Sequence, residues 1–142
     1  MPRLPPPHST TVANVSLTGL AVFCVVAVAV QWLRADLFWM KAPLSFYLVG
    51  AYGGWLKAAY VGLALALLLV GLQFRHALRP GARSDLAPWL FGTSALMVLI
   101  TAFAETQLPG QTKTTAGFVH AVSAPIAFLT VAFNQPPYAP IR

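Results

Sequence analysis

Long apolar runs alternate with short polar stretches along this chain. Apolar residues dominate positions 12–33, 48–74, 86–104 and 116–133, and polar residues collect at 34–47, 75–85 and 105–115. A helix needs about 20 residues to cross the hydrocarbon of a bilayer, so the pattern predicts four transmembrane helices. Aromatic and charged residues mix at 34–47 (Arg34, Asp36, Phe38, Trp39, Lys41, Tyr47), as they do at a membrane interface. Pro88 falls in the first turn of the third run, where proline costs no hydrogen bond. Pro109-Gly110 marks a turn. Pro125 sits inside the fourth run and should kink it unless a neighbour satisfies the freed carbonyl. Residues 1–13 and 135–142 are proline-rich and are predicted to be tails, with one domain at 14–134 between them. A signal peptide competes for the first run, with Arg3 ahead of it and Ala27-Val28-Ala29 as a cleavage-like triplet. The run is longer than a usual signal core and continues through Gln31 and Trp32, which favours a retained helix.

Composition narrows the class. Of 142 residues, 58% are hydrophobic and 8% charged, against roughly a quarter charged in an ordinary soluble domain. Mean hydropathy is +0.70. Too few charges are present to cover a soluble core, and the apolar content excludes disorder. The net charge of +6 is spread singly or in short clusters between the runs, not in a stripe, which argues against nucleic acid. The fold class is therefore all-α, a four-helix transmembrane bundle in a lipid bilayer. Lys and Arg set the orientation. One side collects five (Arg3, Arg75, Arg79, Arg83, Arg142). The other collects three (Arg34, Lys41, Lys113), with Lys57 inside the second helix. Both termini are predicted to be cytoplasmic, in a multi-pass protein of a bacterial cytoplasmic membrane.

In the second run Gly54, Ala58, Gly62 and Ala66 recur every four residues. Small residues let helices approach closely in lipid, and these four are predicted to form the packing face, so that Gly62→Leu would push helices apart. Cys24, the single cysteine, reads as a small buried apolar residue. Trp32, Trp39, Tyr47, Tyr52, Trp55, Trp89 and Tyr138 read as two interfacial aromatic belts. Asn14-Val15-Ser16 matches a glycosylation triplet on the predicted cytoplasmic side and is discounted.

With that topology, the remaining polar residues fall at the outer end of the bundle: Asp36, Tyr52, Lys57, Thr101, Glu105, Lys113, His120 and Ser123. Thr101 and Glu105 share one face of the third helix, and His120 and Ser123 one face of the fourth. Ionisable residues inside a span are costly and often functional. One reading is an outward-facing pocket in which Glu105 and His120 act as an acid/base pair or bind a cation. The other is structural: Lys57 reaches the headgroups or pairs with Glu105, and His120 hydrogen-bonds across helices. The ligand set is too small for a catalytic zinc. Ser123 and His120 lie side by side without an orienting third group, which makes a poor nucleophilic triad. No metal and no cofactor is expected.

Two segments carry a family likeness. Ser45-Phe46-Tyr47-Leu48-Val49-Gly50-Ala51-Tyr52-Gly53-Gly54-Trp55 leads into a long apolar helix. Phe103-Ala104-Glu105 is followed, after a Pro/Gly/Thr loop, by Gly117-Phe118-Val119-His120. Over about residues 15–133 the chain resembles the prokaryotic membrane proteins of domain-of-unknown-function family 998. It departs from them in having fewer helices, and in carrying Ala104-Glu105 where the family tends to have Pro and Asp. The resemblance implies a polar outer cluster containing Glu105 and His120, and no particular activity.

Two functions are compatible with this reading. The first is a non-enzymatic accessory or subunit-type membrane protein, working as a homo-oligomer or beside a membrane protein partner. The second is a membrane-embedded enzyme or transporter-like protein with Glu105, His120 and Lys57 as its candidate residues. Reporter fusions check the topology: the 75–85 loop and both termini are expected to report cytoplasm, and the 34–47 stretch the opposite side. A non-cytoplasmic signal from 75–85 would reverse the orientation.

Overall fold

The structure, a computed structural model, describes residues 7–77 and 85–133. Arg3, Arg79, Arg83, Tyr138 and Arg142 lie outside them. Four α-helices make up the fold: α1 (Pro7–Leu33), α2 (Gly53–Ala77), α3 (Leu86–Phe103) and α4 (Thr115–Ala132), with one 3-10 helix at Leu44–Leu48. All four are long and apolar enough to cross a membrane. Two helix starts differ by about a turn from those the pattern predicts, and α2 runs on to Ala77, three residues past the predicted end. The first helix begins at Pro7, inside the proline-rich stretch, because proline at the first helical position has no hydrogen bond to lose. The second begins at Gly53 instead of 48, because residues 44–48 wind as a 3-10 turn and Gly50 and Tyr52 take positive φ (84° and 64°). At the start of α4 the Thr114 hydroxyl accepts from the Gly117 N–H at 3.0 Å, a side-chain N-cap. The helix runs unbroken through Pro125.

The helices pack in chain order and antiparallel: α1 on α2, α2 on α3, α3 on α4. No other pair of helices shares a substantial interface among the described residues. The three seams are made differently. Between α1 and α2 the close point is Gly19. A side-chain carbon there would stand 3.2 Å from both the Ala66 Cβ and the Gly62 carbonyl. Between α2 and α3 it is Gly71, where such a carbon would lie 2.8 Å from the Phe91 Cβ. The Phe74 and Phe91 rings meet just beyond, centroids 5.7 Å apart. Between α3 and α4, Ala127 joins the apolar cluster of Ala64, Ala95 and Val98, and hydrogen bonds, described below, are added to that packing.

The row Gly54, Ala58, Gly62 and Ala66 does not share one face. A residue turns 100° on a helix, so a step of four overshoots a full turn by about 40° and the row winds around the axis. Ala66 is buried and the Gly62 backbone meets Gly19, while Gly54 and Ala58 are exposed. Near the start of α2 the inward positions are Leu56 and Ala59 instead. Cys24, expected to be buried, is exposed as well. Of the predicted belt aromatics, Trp32, Trp39, Tyr52, Trp55 and Trp89 are exposed, but Tyr47 is completely buried in the cluster of Ala27, Val30, Leu48 and Leu56. The 3-10 helix folds it back under the connection.

A methyl added at Gly71 has no room, because its neighbour is the stem of Phe91 and not a flexible tip. Gly71→Ala is expected to destabilise the protein by about 1–3 kcal/mol. Gly62→Ala, whose added carbon would meet nothing within 4 Å, is expected to be neutral or mildly stabilising through helix propensity. Thermal unfolding of both variants in mild detergent checks the order; equal losses would contradict it.

Candidate functional site

Antiparallel packing brings the end of α1, the start of α2, the end of α3 and the start of α4 to one end of the molecule. All eight polar residues singled out from the sequence are there, but they form separate groups rather than one pocket.

The first group is buried between α3 and α4. Thr101 Oγ1 and Ser123 Oγ are 2.8 Å apart across the seam. Ser123 Oγ also donates to the His120 carbonyl at 3.3 Å, so the Thr101 hydroxyl is left as donor in the shared bond. His120 is 6% exposed, and its Nδ1 lies 2.9 Å from the Ala104 carbonyl oxygen. A carbonyl only accepts, so Nδ1 carries a proton and donates. Deeper along the same seam Ser94 Oγ donates to the Ala127 carbonyl at 2.8 Å. Each of these bonds satisfies a polar group that has no access to water.

The second group contains the remaining ionisable candidates. Glu105 and Lys113 are exposed and Lys57 is half-buried. Among the described residues the salt bridge is that of Arg34 with Asp36, so Lys57 has no ion pair with Glu105. No hydrogen bond joins Glu105 to His120, whose Nδ1 goes to the backbone instead. Among the described residues no three metal-ligating side chains converge.

The third group holds Asp36 and Tyr52 and is built around Arg34, whose charge the sequence pattern reads only as a topology signal. Arg34, directly after α1, grips Asp36 through two bonds of 2.7 Å, from Nε and Nη2 to the two carboxylate oxygens. Its Nη1 donates to the carbonyls of Val49 (2.6 Å) and Ala51 (3.3 Å). Gly50 sits between them with φ of 84°, and a side-chain carbon there would come within 3.1 Å of Nη1. One guanidinium thus ties the end of α1 to the turn that opens α2. The bond from Arg34 holds the Asp36 carboxyl below its usual range, and the same bond raises Arg34 further. A lowered carboxyl stabilises the folded chain above the ordinary carboxylate range and loses that effect as pH falls through the lowered value. Asp36 is well exposed, so solvent limits the benefit. Tyr52, in the left-handed region, stands beside Trp55 with ring centroids 5.5 Å apart. The sequence offered one cue to this unit, a basic residue two before an acidic one, and nothing that pointed to carbonyls fifteen residues later.

A cavity of about 680 Å³ opens beside the α3–α4 seam. Residues of all four helices line it, with the 43–45 segment at one end. His120 and Thr101 belong to its wall and Glu105 does not.

No family model, curated protein or solved structure matches the chain.

The Thr101–Ser123 bond is the measurable element of the seam. A double-mutant cycle with Thr101→Val and Ser123→Ala is expected to give a coupling energy of about 0.6 kcal/mol, and on the order of 1.7 kcal/mol at most. Strict additivity would mean that the bond contributes nothing to holding α4.

Proposed function

We propose that the chain is a polytopic integral membrane protein without catalytic activity of its own, acting as a small accessory or subunit-type protein. One observation carries the membrane reading: the apolar surface faces outward. Within the most apolar stretch of each helix only 11% (α1) to 28% (α2 and α3) of residues are buried. Trp32, Trp89, Phe128 and Phe133 are each at least 74% exposed. A protein surrounded by water rarely exposes contiguous apolar patches beyond a few hundred Å², whereas lipid is the solvent that such helices fit.

The subunit reading rests on the way the polar residues are used. Thr101, Ser123, His120 and Ser94 join helices, and Arg34 and Asp36 fasten a connection. Each performs a structural task that accounts for its place. The proposal includes both termini on the cytoplasmic side, supported by the Lys and Arg count. It also includes kinship with the family-998 membrane proteins, supported by the 45–55 and 103–120 segments alone. The rival reading, an acid/base pair of Glu105 and His120, would need the two groups to meet on a substrate between them.

Alkaline carbonate extraction followed by mild-detergent purification tests the proposal. The chain is expected to stay in the membrane pellet. It is then expected to elute as an oligomer or to carry one reproducible membrane partner identified by mass spectrometry. Release by carbonate would refute the membrane reading. A lone monomer with no partner would refute the subunit reading.

A further inference from the structure

The cavity beside the α3–α4 seam has a polar end and an apolar end. At the end where α1 stops and α2 begins, Ser45, Tyr60, Thr101 and His120 line it. Toward the other end the lining becomes Leu67, Phe128, Val131 and Ala132. From His120 to Ala132 is about 18 Å of helix rise, so the space is long and narrow, and its volume is in the range of ordinary ligand sites.

Two polar groups in the wall lack a partner. His120 is more than nine-tenths buried, yet among the described residues only its Nδ1 is bonded. Among the described residues, the occluded polar side-chain atoms without a partner are Ser16 Oγ and Tyr47 OH. His120 Nε2 is therefore neither bonded nor sealed, and its ring lines the cavity. The Tyr60 ring is fixed edge-on against Phe23, centroids 5.1 Å apart, and its hydroxyl likewise has no hydrogen-bond partner among the described residues. The two residues that carry these unbonded groups thus line one apolar slot, and leaving such groups unsatisfied in hydrocarbon is costly.

From this placement we infer that the cavity binds a single-chain lipid whose head is one small protic group, a carboxylic acid or an alcohol. The head donates its O–H to His120 Nε2 and accepts from the Tyr60 hydroxyl, and the chain lies along α4 toward Ala132. Two features exclude a phospholipid head. Neither Lys nor Arg lines the cavity to compensate a phosphate, and Pro43, Leu44 and Ser45 occupy the polar end where a bulky head would have to emerge. This inference rests on the membrane reading above, since the lipid would enter sideways from the bilayer.

Photolabelling of the full chain in mild detergent tests it, with diazirine analogues of palmitic acid, hexadecanol and methyl palmitate. The acid or the alcohol is expected to label saturably, with the label on α2 and α4, at concentrations about tenfold below the ester, which has no proton to donate. Whichever labels better identifies the head. Ala124→Phe, filling the cavity away from the hydrogen bonds, is expected to abolish saturable labelling. Tyr60→Phe, which keeps the ring contact, is expected to weaken it about fivefold. Equal labelling by the ester, or labelling indifferent to Ala124→Phe, would overturn the site and leave the slot as a place where bilayer chains pack. The ester comparison needs no variant, so misfolding cannot blur it. Carbonate extraction separates the two failures. A chain kept in the pellet without acid or alcohol selectivity loses the site alone, and a released chain loses the membrane reading and the site together.

Discussion

Each helix here is apolar nearly all the way around, so burying apolar area cannot by itself choose which face turns inward. In a soluble bundle that choice comes from an apolar stripe opposed to a polar one. Here it has to come from contacts that distinguish one apolar surface from another: places where a missing side chain lets backbones approach, and places where a polar atom needs a partner. The fold uses both. Gly19 sets α1 against α2, and Gly71 sets α2 against α3. Ser94, Thr101, Ser123 and His120 set α3 against α4. The hydrogen-bonded seam carries the most positional information, since each of these bonds is met in only one register of α4.

The connection between α1 and α2 completes the same logic at the end of the molecule. Tyr47 fills the gap between these two helices, and Arg34 holds the turn that follows it. Without the guanidinium, the Val49 and Ala51 carbonyls would lose the donor that keeps Gly50 in its left-handed conformation. The strand of chain that looks like a loop by composition is therefore a fitted plug, and it narrows the polar end of the neighbouring cavity through Pro43, Leu44 and Ser45.

Which parts of this were legible beforehand follows from the range of the interactions. Helix number and rough extent depend on local hydropathy and were readable, including the tolerance of Pro88 and the turn at Pro109-Gly110. Thr101, Ser123 and His120 could be grouped because polar residues are scarce and the topology leaves them few places to go. The row of small residues in α2 divides between an exposed start and a packed end because spacing by four follows a helical turn only over short distances. The glycines that do set the seams, Gly19 and Gly71, stand outside any repeat. Arg34 and Tyr47 were out of reach for another reason: their partners lie across a bend whose shape depends on positive φ at Gly50 and Tyr52. Nothing in a hydropathy profile encodes that bend, least of all at a tyrosine.

The order of packing has one more consequence. Since α1 touches α2, α2 touches α3 and α3 touches α4, every substantial helix interface among the described residues joins neighbours in the chain. Such local connectivity keeps the search for native contacts short. It also means that each helix, as it leaves the ribosome, finds its whole docking surface already made by the one before it. Assembly can therefore proceed in the direction of synthesis, one hairpin at a time, without waiting for the last segment to appear.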